Sequence, residues 1–274
     1  LVSGEQVWRL GREVARAADC PVAVDIWRLR LIERVNVWRR VDAGVRFLAP
    51  TERLAASLQE ELGAQEDVVR TVRYGVEWMP DPHPVLDRID EAVSLVILGG
   101  ASDQDAYRDL LDGLTEVLPD YPQMMVFCEL EGRHERTIWQ EMRSRGLLDR
   151  VSCLYAASGI RSLLTDCDLV ALPERIGDVR TVLYEIAGAG VPILTAEERA
   201  RTLEDDIEVL GVPHGSWADQ LQSVLAQPAR ARGMAGRARE AIYARHRADH
   251  QVAQLTAVLR ELTAPTALEF TPSV

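Results

Sequence analysis

Apolar positions alternate between a helical and a strand period from the first residues onward. Val7, Leu10, Val14 and Ala18 fall at helical spacing within 5–18 and predict an opening helix with that stripe as its apolar side. Pro21 ends it, and Val22 to Ile26 reads as a short buried strand. Leu31, Ile32, Val35 and Trp38 predict a second helix over 28–41, and Val45 to Leu48 a second strand. Thr51 is a good N-cap for a helix over 52–62. A strand over 68–72 then leads into Tyr74-Gly75-Val76. Three prolines follow at Pro80, Pro82 and Pro84, which reads as a linker over 80–84.

Beyond the prolines the alternation becomes regular. Strands are predicted over 94–98, 123–128, 151–154, 168–172 and 192–195, with helices over 105–118, 134–145, 158–165 and 181–189 between them. Apolar strands of four or five residues separated by helices imply a parallel sheet covered on both faces. Such a doubly wound domain binds ligands beyond the carboxyl ends of its strands. Residues 217–262 read as mostly helical, and the chain from Pro265 onward as frayed. There is no solenoid repeat and no low-complexity tract.

Composition narrows the classes that remain. The 274 residues are long enough to bury a substantial core. A net charge of -12 argues against a protein built to coat nucleic acid or an anionic membrane. The longest apolar stretch, 93–100, is far short of the ~20 residues a membrane span needs. No export leader is recognisable, so a cytoplasmic location is expected. Cys20, Cys128, Cys153 and Cys167 are scattered and read as free thiols, with no metal-ligand spacing. All 31 basic residues are arginine, so any anion must be held by arginine, by backbone N–H groups or by a helix N-terminus.

Against this background one segment is distinctive: Glu174-Arg-Ile-Gly-Asp-Val-Arg-Thr-Val-Leu-Tyr-Glu185-Ile-Ala-Gly-Ala-Gly-Val-Pro192-Ile-Leu-Thr195. It resembles the donor-site segment of family-4-like glycosyltransferases of the GT-B fold (glycosyl transferase group 1). There, a glutamate and a glycine-rich turn precede a second glutamate that opens Glu-Ala-x-Ala-x-Gly-x-Pro. Asp42-Ala-Gly-Val-Arg-Phe-Leu-Ala-Pro-Thr-Glu-Arg-Leu54 is similar to a strand and helix of the family's first domain. Arg73-Tyr-Gly75-Val76-Glu77 stands where the family has Asn-Gly-Val-Asp, and Gly146-Leu-Leu-Asp-Arg150-Val151 matches Gly-Leu-x-Asp-Arg-Val. The ordered set runs from about residue 5 to 262. The resemblance implies an α/β chain of two Rossmann-like domains of GT-B type, the first incomplete. The expected boundaries are a partial first domain over 1–79, the linker, and a nucleotide-sugar-binding-type domain over 85–237. A C-terminal helix crossing back over 238–264 and a tail over 265–274 complete it.

The same resemblance implies a nucleotide-sugar donor, no metal and no further cofactor. Glu185 matches the family's second glutamate, which clamps ribose hydroxyls; it reads equally as a solvated glutamate in a first helical turn. The family's first glutamate falls on Gly177, so Glu174 and Asp178 are both out of register with it. Gly99 and Gly100 allow close backbone approach to a ligand, or make a plain turn. Thr181 and Val182 present N–H groups at a helix start, with Arg180 beside them and Arg133 after the second strand as candidate cations. Tyr155 follows the third strand, where the family places its base-binding loop.

Departures from the pattern are as informative. The arginine and lysine that would meet a diphosphate are replaced by Gly99-Gly100-Ala101-Ser102-Asp103-Gln104-Asp105, which brings Asp103 and Asp105 where negative charge is unwelcome. All five histidines lie at or after His83, so none serves the first domain, and His83, His214, His246 and His250 read as surface residues. Two readings result. One is a transferase moving a sugar from a nucleotide-sugar to an unknown acceptor. The other is a pseudoenzyme kept as a binding or assembly subunit, with a protein partner. No nucleic acid and no transmembrane segment enter either.

Overall fold

The computed structural model describes residues 1–38, 44–63, 68–79, 84–154, 160–175, 177–196, 202–203 and 209–263. In chain order these form α1 (Trp8–Ala18), β1 (Val22–Asp25), a 3-10 run (Leu29–Trp38), β2 (Val45–Ala49), α2 (Glu52–Leu62) and β3 (Val69–Thr71). Next come β4 (Val93–Ile97), α3 (Gln104–Val117), β5 (Met124–Glu129), α4 (Glu135–Ser144), β6 (Val151–Leu154), α5 (Ile160–Asp166) and β7 (Leu169–Leu172). The chain then builds α6 (Val182–Ala189), β8 (Ile193–Thr195), β9 (Leu210–Gly211), α7 (Trp217–Ala226), α8 (Pro228–Arg245) and α9 (Ala248–Thr263). It divides into one unit of residues 1–75 with 248–274 and another of residues 76–247.

The first unit is an all-parallel sheet in the order β1-β2-β3. Thr51 starts α2 as its pattern predicts: the hydroxyl accepts the Leu54 N–H at 3.2 Å. Ala23, Leu48 and Val72 on the sheet side pack with Val258, Leu255 and Leu262 of α9. Two α9 side chains fasten the exit from β3, since Gln254 Oε1 accepts from Arg73 N and Gln251 Oε1 from Gly75 N, each at 3.0 Å.

Where structure and pattern part, packing supplies the reason. The predicted stripe of α1 is turned outward, with Val7, Leu10 and Val14 exposed, and the helix buries Trp8 and Ala15 instead. Trp8 meets Trp38 edge-on at 6.1 Å, and α1 sits so close that a side chain at Gly11 would come within 2.6 Å of Val2. One large aromatic beside small residues outweighs a stripe of single aliphatic contacts. The expected helix over 28–41 is a 3-10 run over 29–38, burying the same Leu31, Ile32, Val35 and Trp38. The units part at Gly75–Val76 rather than at the prolines, of which 80–83 lie outside the described residues. The return to the first unit begins at Ala248, not at 238. Ala231, Ala235, Ala238 and Ile242 make a buried stripe along α8, which packs on α6 and stays with the second sheet. His246, read as a surface residue, is buried at the C-terminal end of α8 and stacks on Tyr184 with ring centroids 4.3 Å apart.

The second unit carries six parallel strands in the order β6-β5-β4-β7-β8-β9. β9 is an addition to the five predicted strands; two residues carry no readable period. Helix α3 packs on α4 and α7, while α6 packs on α5 and α8. Right-handed crossovers put these two groups on opposite faces, with the reversal of strand order between β4 and β7. The start of β7 is pinned by Asp168, whose carboxylate accepts Leu86 N at 2.7 Å and both Ser94 N and Ser94 Oγ at 2.8 Å. No helix among the described residues is long and apolar enough to cross a membrane.

Asp168→Ala removes a charged acceptor and leaves two backbone N–H groups without their partner. Urea unfolding of the full chain is expected to lose about 2–3 kcal/mol, and Asp168→Asn less.

Candidate functional site

The site grows out of strand register. β4 and β7 pair in parallel with Leu95 opposite Leu169, Val96 opposite Val170 and Ile97 opposite Ala171. Three residues further on, the same register brings Gly100 opposite Glu174. The Glu174 side chain is fully buried, and its carboxylate turns into the loop after β4. Oε2 accepts Gly100 N at 2.6 Å; Oε1 accepts Ser102 N at 2.5 Å, Ser102 Oγ at 3.0 Å and Asp103 N at 3.0 Å. Ala101 lies between these donors in the left-handed region, φ 45°, which swings the flanking N–H groups to one side.

A second acid stands at the end of β5. Glu129 Oε2 accepts Gly99 N at 3.0 Å and pairs with Arg180 Nη1 at 3.3 Å. Adjacent amides of the double glycine are thus divided between two carboxylates. The glycines here are closely packed: a Cβ at Gly99 would fall 2.0 Å from the Tyr107 side-chain Oη, and one at Gly132 only 1.8 Å from the Gly100 carbonyl oxygen. Tyr107 is buried beneath, its hydroxyl donating to the Glu129 carbonyl at 3.4 Å. Burial, with Cys128 and Glu174 nearby, holds its pKa well above the usual phenol value, so it stays neutral.

The cations near the loop are directed at the protein itself. Arg133 donates to the Ser102 carbonyl through Nε at 3.2 Å and Nη2 at 2.9 Å. Arg108 pairs with Asp105 at 2.8 Å and Glu141 at 3.1 Å on the helix surface. The two aspartates expected to repel a diphosphate point elsewhere. Asp103 caps α3 by accepting Ala106 N at 3.2 Å, and Asp105 is engaged with Arg108. The negative charge in the loop belongs to Glu174.

Of the remaining candidates, Glu185 is half-buried in the first turn of α6, and Asp178 is half-buried in the segment before it. Thr181 precedes α6 in helical conformation without a side-chain cap. The next amides are used internally, Leu183 N by the Arg180 carbonyl at 3.0 Å and Tyr184 N by that of Thr181 at 3.1 Å. Tyr155 lies outside the described residues. Sequence reasoning missed Glu129 and Ser102. Glu129 carries one legible signal, an acid closing an otherwise apolar strand; its partners depend on β5 lying beside β4.

Comparison with known proteins agrees with this architecture. Residues 139–257 match a family model described as "Glycosyl transferase-like". Alr3699/HepE of Anabaena, solved in complex with UDP-glucose, superposes with a TM-score of 0.75 at 15% identity, covering 94% of this chain and 77% of that one. Sucrose-phosphate synthase of Thermosynechococcus elongatus gives a TM-score of 0.68 at 15% identity, covering 96% and 80%. TarM of S. aureus, solved with UDP and an α-GlcNAc-glycerol, gives 0.68 at 13% identity, covering 88% of this chain and 50% of that one. These likenesses establish the GT-B fold. A curated relative, the DNA integrity scanning protein DisA of Streptomyces avermitilis, is 25% identical over 178 residues, 61% of this chain and 46% of that protein. The chain therefore spans about half the length of these first matches, and at such identity the DisA match assigns no activity.

Gly132→Ala must push the Gly100 carbonyl away and is expected to cost about 1–3 kcal/mol in urea unfolding. Gly236→Ala on the open side of α8, where an added Cβ meets nothing, is expected to stabilise by about 0.5–1 kcal/mol.

Proposed function

We propose that this glycosyltransferase-like chain of GT-B fold is a non-catalytic relative of the sugar-transferring enzymes, kept as a binding or assembly subunit. The observation that carries the reading is the commitment of Arg180, Arg133 and Arg108 to Glu129, the Ser102 carbonyl and Asp105 with Glu141. Breaking a glycosidic bond to a diphosphate loads negative charge on the leaving group, and rate depends on preorganised positive charge or N–H groups meeting it. Here the loop N–H groups serve Glu174 and Glu129, Arg180 is paired with Glu129, and Arg133 is held on the Ser102 carbonyl. A diphosphate would instead approach the Glu174 carboxylate, which has no cation partner among the described residues, while Glu129 is offset by Arg180. Such a carboxylate repels a unit charge 4 Å away by about 4 kcal/mol at an effective dielectric of about 20.

The nucleoside end of a donor is treated differently. HepE and TarM were solved with UDP bound, and Glu185 occupies the position that the resemblance gives to a ribose clamp. A nucleoside-type ligand held through Glu185, without a contribution from its phosphates, is consistent with both facts. An assembly role has its own support in the first unit. Leu1, Val7, Leu10 and Val14 border an apolar groove of about 410 Å³ along α1.

Calorimetric titration with uridine, guanosine, UDP, GDP and their sugar conjugates tests the reading, with Glu185→Ala as the control and sugar release followed in parallel. UDP is expected to bind no more than about 3-fold tighter than uridine, with no sugar released. Micromolar UDP-sugar binding accompanied by hydrolysis would overturn it.

A further inference from the structure

The loop after β4 is shaped to hold an anion and already holds one. Three backbone N–H groups and one hydroxyl converge on Glu174, and all four donors are neutral. The loop opens directly into α3, a helix of 14 residues whose dipole adds to the attraction. Its backing is rigid: Gly132 allows no side chain against the Gly100 carbonyl, and Arg133 holds the Ser102 carbonyl from outside. Successive N–H groups around a left-handed residue at the head of a helix are the arrangement that receives phosphate oxygens. Glu174 supplies two oxygens of the same charge and reaches the loop from β7 by register, with its side chain fully buried.

We propose that Glu174 is a tethered stand-in for phosphate: the Gly100–Asp103 loop is a formed oxyanion seat, closed by this side chain and opened when the side chain is displaced. The inference rests on reading that loop as the place where a donor diphosphate would lie. A tethered carboxylate acts at millimolar effective concentration or above, so free phosphate competes poorly with it. The chain therefore excludes phosphate-bearing ligands by occupying the seat. The loop itself keeps its donors.

The test uses inorganic pyrophosphate as the probe on the full chain, with potassium chloride of equal ionic strength as control. Wild type, Glu174→Ala and Glu174→Gln are compared by calorimetry, thermal unfolding and amide chemical shifts. Wild type is expected to show no shift at Gly100, Ser102 or Asp103 at about 10 mM pyrophosphate. Glu174→Ala should melt lower, bind with a Kd of about 1 mM or tighter, and show its shifts at those amides. Glu174→Gln, which still fills the seat, should bind at least about tenfold more weakly than Glu174→Ala. If Glu174→Ala does not fold alone, pyrophosphate-dependent refolding becomes the readout, and its absence overturns the proposal. So does a folded Glu174→Ala indifferent to pyrophosphate, or a wild type whose loop amides respond equally. Sugar release by wild type would defeat the non-catalytic reading whatever these variants do, so the two failures stay separate.

Discussion

A carboxylate taken wholly out of water must be met by donors, and the second unit is arranged around one that is. Leaving Glu174 charged and unpartnered in the interior would cost several kcal/mol. The loop after β4 meets this demand with every N–H it can aim. Ala101 accepts a left-handed conformation, Asp103 turns its own side chain to the helix so that its backbone N–H is available, and Ser102 contributes both N–H and hydroxyl. The close packing of Gly99 on Tyr107 and of Gly132 on Gly100 follows from the same demand. A loop held this tightly has no room for side chains on its backing.

Charge balance at the reversal of strand order is correspondingly internal. Glu174 and Glu129 bring two negative charges to neighbouring amides, and Arg180 returns one positive charge through Glu129. The dipole of α3 offsets part of the remainder. An arriving anion would have to replace a carboxylate already seated, not fill an empty positive pocket. The arginines of the neighbourhood accordingly contact protein groups: Arg133 donates to the Ser102 carbonyl, and Arg180 pairs with Glu129.

Much of this was legible in the sequence. The β-α alternation, the Thr51 cap and the place of the double glycine after β4 follow from local period and local chemistry. Misreadings arise where a decision belongs to contacts between distant segments. Spacing alone offers Val7, Leu10 and Val14 as the inner face of α1, but Trp38 lies across from Trp8 and settles the face the other way. His246 looks like a surface residue at a helix end, but it is buried and stacked on Tyr184 of α6. Glu129 gives no hint of its partners because both lie on other strands' exits. Asp103 and Asp105 read from the sequence as charges in the site, since a sequence says how much charge a loop carries and not which way it points.

On the non-catalytic reading, the place of one acid along the chain carries the functional difference. The resemblance reserves position 177 for a glutamate that would face a ligand, and here that position is glycine. Position 177 lies in the segment between β7 and α6, past the last paired residue of β7. An acid at 174 is only two residues past the end of β7, where the pairing of Ile97 with Ala171 still governs direction and aims the side chain at Gly100. On that reading, the carboxylate at 174 fills the loop after β4 where one at 177 would be offered to a ligand.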